Sequence, residues 1–147
     1  MAKVIIFEDD EMLRAMYERK FQSTGFEVVS KEDATDVVKD VKEAKASIVL
    51  MDVLMPKVDG FTAIKLLKED SATRKIPILV TSNLSDQTTI QKSLWLGASD
   101  VIVKADLTPT QLVQKTKDVL AGKAPAHKLN PELIKFLHLE EQSKSTP

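Results

Sequence analysis

The sequence contains no cysteine. Disulfide staples, thiolate zinc sites and thiol nucleophiles are thereby excluded, and a reducing compartment suits the chain. Glycine is almost as scarce: four are spread through 147 residues, and they form neither a GxGxxG nor a GxxxxGK phosphate loop. No charge of one sign dominates. With 21 Lys and Arg against 22 Asp and Glu, the net charge of −1 supplies no basic excess for direct contact with nucleic acid or an anionic membrane. Apolar runs such as Val4-Ile5-Ile6-Phe7 are far too short to cross a bilayer, and Met1-Ala2-Lys3 has no signal-peptide layout. A cytoplasmic protein is expected.

What the chain does have is 43% hydrophobic and 29% charged residues, enough for one folded core and outside the range of disorder. Short Val- and Ile-rich runs, Val4 to Phe7, Phe26 to Ser30, Ser47 to Met51, Ile78 to Thr81 and Val101 to Val103, alternate with segments of helical period. Most runs are apolar throughout, as parallel strands covered on both faces should be. Between them, Leu13, Met16, Tyr17 and Phe21 share one helical face, and Ala34, Val37, Val38 and Val41 another. Phe61, Ile64 and Leu67 mark a third helix, Ile90, Leu94 and Ala98 a fourth, and Leu112, Val113, Thr116, Val119 and Leu120 a fifth.

The punctuation agrees. Thr24-Gly25, Gly97 and Gly122 stop helices, Asp59-Gly60 opens one, and Thr108-Pro109 pairs a hydroxyl cap with a first-turn proline. The expected fold is a (βα)5 doubly wound parallel sheet of flavodoxin-like order 2-1-3-4-5, plus a short C-terminal helix beginning at Asn130-Pro131. The domain is expected to span residues 1–122, with 123–147 forming a linker (Lys123 to Lys128), that helix and a frayed polar end (Gln142 to Pro147).

In open α/β sheets ligands gather outside the carboxyl ends of the strands. Strand one ends on Glu8, Asp9 and Asp10, strand three on Asp52, strand four on Ser82 and Asn83, and strand five on Lys104. Strands one and three are neighbours in this order, so their acidic ends converge, and converging carboxylates call for a cation. Oxygen donors with room for water and phosphate favour Mg²⁺. Lys104 and Ser82 aim an ammonium and a hydroxyl at the same place, which makes an anion receptor beside Asp52. A carboxylate so flanked can attack phosphorus. Asp10 is read as a helix N-cap, not a ligand.

This constellation resembles the receiver domain of two-component response regulators. Four stretches carry the resemblance: Val4 to Asp10, Met51 to Gly60, Ile76 to Ser82, and Gly97-Ala98 with Val103-Lys104. The separations Asp9 to Asp52, Asp52 to Ser82 and Ser82 to Lys104 are 43, 30 and 22 residues, each landing at a strand end. The resemblance covers roughly residues 3–121 and implies that Asp52 accepts a phosphoryl group from a phosphohistidine on a histidine kinase or phosphotransfer protein. It further implies that Asp9 ligates Mg²⁺ directly, with Glu8 partly through water, Asp52 itself and the backbone carbonyl of Leu54. Ser82 and Lys104 would bind the phosphoryl group.

The chain would then signal through a downstream protein target. No separate substrate, direct nucleic-acid contact or membrane contact is expected, and homodimerisation is left open. The alternatives are a degenerate receiver that serves as a scaffold without phosphate, and a nucleotide- or flavin-binding protein, which the scattered glycines disfavour.

Several positions depart from the family pattern. Ala105, not proline, follows Lys104, so a trans bond is expected there. Val101 occupies the usual aromatic switch position, which shifts attention to backbone movement after strand four. Leu54 and Leu84 cannot orient a water, so a long-lived acyl phosphate is expected. Trp95 lies beside its helix stripe and should be partly covered. His127 and His138 are read as surface residues. Leu133, Ile134, Phe136, Leu137 and Leu139 are too dense for a solvated helix, so this segment should dock on its own domain, a second copy or another protein.

Overall fold

The computed structural model describes residues 2–137. Among them, strands β1 (Lys3–Phe7), β2 (Glu27–Lys31), β3 (Ile48–Asp52), β4 (Ile78–Ser82) and β5 (Asp100–Val103) form one parallel sheet in the order β2-β1-β3-β4-β5. Helices α1 (Glu11–Ser23), α2 (Val37–Ala44), α3 (Gly60–Glu69), α4 (Gln87–Leu96) and α5 (Pro109–Leu120) alternate with the strands, and a short α6 (Pro131–Phe136) follows. The flavodoxin-like architecture and its C-terminal helix are as expected. His138, Leu139 and the Gln142 to Pro147 end lie outside the described residues.

Successive side chains of a strand point to opposite faces, and the core divides accordingly. Ile5, Phe7, Val49, Met51, Ile78 and Val80 pack beneath α2, α3 and α4, against Val37, Val41, Ile64, Leu67 and Ile90. Val4, Ile6, Ile48, Leu50, Leu79 and Ile102 pack beneath α1 and α5, against Tyr17, Phe21, Leu112 and Val113. Each such side chain, fully withdrawn from water, contributes about 2 kcal/mol of burial. β3 and β4 are buried along their whole length, whereas β2, at the sheet edge, is exposed at both ends through Glu27 and Lys31. Its polar ends fit an edge that must not recruit another strand.

Several details differ from the periodic reading, among them Ala98, which lies beyond the end of α4, and Phe136, which is 77% exposed although its apolar segment is expected to dock. Met16 is 42% exposed, because α1 buries a narrower stripe centred on Tyr17 and Phe21. Ala34 is buried but precedes α2, sitting in the turn that leads into it. β2 starts one residue late, since Phe26 packs edge-on against Phe21, with ring centroids 5.2 Å apart, before the strand begins. The Lys104–Ala105 bond is trans, and Trp95 is partly covered, both as expected.

Candidate functional site

The carboxyl end of the sheet is shaped by helix caps. Asp10 turns the chain from β1 into α1, its side chain accepting from the Leu13 amide at 3.0 Å. Arg14, one turn into α1, donates from Nη1 to the Glu8 carbonyl at 2.8 Å and fixes the end of β1. Asp59 caps α3 by accepting from the Thr62 amide at 3.0 Å. Asp86 caps α4, accepting from the Thr89 amide and hydroxyl at 3.0 and 2.9 Å.

Gly60 brings α3 against β3, donating its amide to the Val53 carbonyl at 3.0 Å. A β-carbon at Gly60 would stand 2.4 Å from the Asp52 carbonyl oxygen and 2.5 Å from the Val53 α-carbon, so no side chain fits there. The glycine that reads as turn punctuation is therefore a packing requirement on the backbone of Asp52.

Within this frame, β1 and β3 pair Phe7 with Met51, which leaves Glu8 beside Asp52 at the strand ends. Both carboxylates are buried. Lys104, entering a short 3-10 turn after β5, reaches across to donate to Glu8 Oε1 at 2.6 Å and to Asp52 Oδ2 at 2.9 Å. The other Asp52 oxygen, Oδ1, accepts from the Leu54 amide at 3.1 Å, and Glu8 Oε2 accepts from the Asp10 amide at 3.2 Å.

Asp9 is exposed, yet it offers a carboxylate oxygen to the same cluster. One carboxylate oxygen from each of Glu8, Asp9 and Asp52 lies within 4.8 Å of the other two. Ser82 is fully buried at the end of β4, one residue past Thr81, which pairs with Asp52. Its Oγ accepts from the Leu84 amide at 2.9 Å. Leu54 and Leu84 are both exposed around the site.

The electrostatics follow from burial and proximity. Burial pushes the Glu8 carboxyl up to about 7; the Lys104 hydrogen bond opposes this shift and the Asp52 charge adds to it. Burial alone would lower the Lys104 ammonium, but its bonds to Glu8 and Asp52 outweigh that and hold it above its ordinary value. Three carboxylates against one ammonium leave two negative charges when all are ionised. The clustered donors are oxygens without thiolate or imidazole, a set that fits one hard divalent cation.

The structure thus joins Glu8, Asp52 and Lys104 directly, sets Asp9 at the mouth and Leu54 beside Asp52, and holds Ser82 at the neighbouring strand end. Sequence reasoning missed Arg14. Its spacing one turn beyond the Asp10 cap was a usable signal, but a surface arginine on a helix ordinarily reads as solvated.

Comparison with known proteins gives a consistent picture. The family model "Response regulator receiver domain" matches residues 4–117. The "Probable transcriptional regulator ycf27" of Porphyridium aerugineum is 30% identical over 118 residues, covering 80% of this chain and 48% of the relative. The phosphate regulon transcriptional regulatory protein PhoB of Klebsiella pneumoniae is 29% identical over 123 residues, covering 84% of this chain and 53% of the relative. The chain spans about half the length of these curated relatives. Among solved structures, the chemotaxis protein CheY4 of Vibrio cholerae superposes with a TM-score of 0.76 at 27% identity, over 81% of this chain and 98% of that one.

Proposed function

The chain belongs to the response regulator receiver domain family, and on that footing we propose that Asp52 is its phosphoacceptor, taking a phosphoryl group from a phosphohistidine on a histidine kinase or phosphotransfer protein. The observation that carries this reading is a buried Asp52 carboxylate held 2.9 Å from the Lys104 ammonium and grouped with Glu8 and Asp9.

In the transfer, the donor P–N bond breaks as a P–O bond forms to an Asp52 carboxylate oxygen, and the departing imidazole picks up a proton from water. Lys104, already between Glu8 and Asp52, pairs with the arriving phosphoryl oxygens. Ser82 contributes its hydroxyl from the neighbouring strand end. Leu54 presents its amide to Asp52 Oδ1 and keeps that oxygen oriented. Glu8, Asp9, Asp52 and the Leu54 carbonyl would hold Mg²⁺, which supplies charge neutralisation on the phosphoryl oxygens when bound. The same groups serve loss of the phosphoryl group to water, so the module acts only on itself and not on a separate substrate.

We take residues 1–122 as the phosphoaccepting unit, 123–147 as an appended segment, and output as phosphorylation-dependent contact with a protein. The net charge of −1 supports protein over nucleic acid as the direct partner. Among the described residues no helix is long and apolar enough to cross a membrane, and we place the chain in the cytoplasm together with the proposed kinase donor.

Incubation with acetyl phosphate and Mg²⁺, followed by intact mass, tests the reading. One phosphoryl group is expected on the wild type and none on Asp52→Ala. Equal uptake by the variant would refute the assignment, and a wild type that takes up nothing would leave the scaffold reading in its place.

A further inference from the structure

Two polar side chains in the core take no part in the site. Asp100, at the start of β5, is fully buried, and Gln91, in the middle of α4, is 3% exposed. Both find their partners in the segment that follows α5. Asp100 Oδ2 accepts from the Ala126 amide at 2.6 Å, and Oδ1 accepts from the His127 amide at 3.2 Å and lies 3.3 Å from His127 Nδ1. Asp100 also accepts from its neighbour's amide, Val101, and pairs with Lys115 of α5 at 2.6 Å.

Gln91 uses both ends of its carboxamide. Its nitrogen donates to the Lys128 carbonyl at 3.0 Å, and its oxygen accepts from the Asn130 amide at 2.8 Å. Asn130 then caps α6, whose Ile134 is buried as α6 packs on α4. A solvated linker would leave Gln91 and Asp100 with these groups unmatched in a dry place, a penalty that natural cores avoid. The strap from Ala126 to Ile134 is therefore a designed fit to α4 and β5.

Those two elements also adjoin the site. The exposed loop Asn83 to Asp86 runs directly from Ser82 into α4, and β5 delivers Lys104 four residues after Asp100. Ser82 is joined to α4, and so to Gln91, by this short exposed loop alone, so a displacement at Ser82 would reach Gln91 along the backbone. Resting on the phosphoacceptor reading above, we propose that residues 126–134 form an internal latch that holds α4 and β5 in the unphosphorylated arrangement and releases when Asp52 is phosphorylated. Linkage makes the conformational effect reciprocal, and if the open form is the one that accepts the phosphoryl group, opening the latch enlarges that population and raises the phosphorylation rate in proportion.

The test uses the full chain and two changes confined to the strap. Ala126→Pro deletes the amide that donates to Asp100, and Ile134→Asp removes the apolar anchor. Phosphorylation by acetyl phosphate with Mg²⁺ is followed by intact mass, and hydrogen exchange of the 126–130 amides is read in the same samples. In the wild type, protection of these amides should fall at least about tenfold once Asp52 carries phosphate, and both variants should be phosphorylated about three- to tenfold faster. Unchanged wild-type protection in phosphorylated protein, or an unchanged rate in variants whose His127 and Asn130 amides exchange freely, overturns the latch while leaving Asp52 as phosphoacceptor. Failure of every protein, wild type included, to gain phosphate overturns both readings together.

Discussion

Glu8→Gln should stabilise the metal-free protein above neutral pH, even though it removes one partner of Lys104. The Glu8 carboxyl ionises near its ordinary 4.5 in the unfolded chain and at about 7 in the fold, where burial opposes its charge. Below about pH 4.5 Glu8 is protonated in both states and its contribution to stability is fully present. Between about pH 4.5 and about pH 7 the unfolded chain ionises freely while the fold keeps the proton, so stability declines as pH rises, and above that window the contribution is gone. At about 1.4 kcal/mol per pKa unit, the displacement sets an upper figure of about 3.5 kcal/mol.

Water at the mouth of the site, where Asp9 is exposed, screens the charges and brings the expected effect to about 1–2 kcal/mol. Glutamine is uncharged in both states and escapes the loss, and Lys104 retains Asp52 at 2.9 Å. Urea unfolding with EDTA, followed by Trp95 fluorescence from about pH 5 to about pH 8, reads the difference between wild type and variant. The two curves should diverge across that range, with the variant the more stable at the upper end. Mg²⁺ added there should recover wild-type stability more than that of the variant. Parallel curves, or a variant less stable at the upper end, would refute the assignment of Glu8 as the strained carboxylate.

Three further outcomes follow from the geometry. Gly60→Ala should cost about 2 kcal/mol or more in urea unfolding, since the added carbon overlaps the Asp52 carbonyl and backbone atoms have little freedom to yield; stability equal to wild type would contradict the close approach. Asp100→Asn should cost about 2–4 kcal/mol at neutral pH by leaving the Lys115 ammonium without its anion. Burial raises the Asp100 carboxyl, but Lys115 and the Ala126 and Val101 amides lower it more, so its stabilisation is lost as pH falls below about 4, and a variant with the same acid-unfolding profile as wild type would count against this. Leu54→Asn with Leu84→Glu should shorten the acyl-phosphate lifetime several-fold by giving an attacking water polar neighbours, which decay of the phosphorylated mass after donor removal would show.

Much of this molecule is legible without coordinates because its signals are local. The strand runs, the caps at Asp10, Asp59 and Thr108, and the order of the sheet depend on short-range periodicity and turn chemistry, and together they carry Glu8, Asp52 and Lys104 to one end. What escaped the sequence is non-local and written in backbone. Asp100 looks like any acidic residue before a strand, yet it is buried against amides 26 and 27 positions further on. Gln91 likewise meets carbonyl and amide groups, which any sequence supplies, so no residue type announced the contact. The hydroxyl of Ser82 was legible as a site residue, but its engagement with the Leu84 amide depends on a loop conformation that composition does not encode.

The absence of room at Gly60 makes the pocket mechanically lopsided. On the α3 side, the Gly60 amide and Val53 carbonyl are bonded and the helix backbone lies against that of Asp52 with no space between them. On the α4 side, the four residues from Asn83 to Asp86 are all exposed and have no such backing. A fluorescent or spin label intended to report the state of this protein therefore belongs on that loop. With no native cysteine to compete, one introduced thiol is enough to put it there.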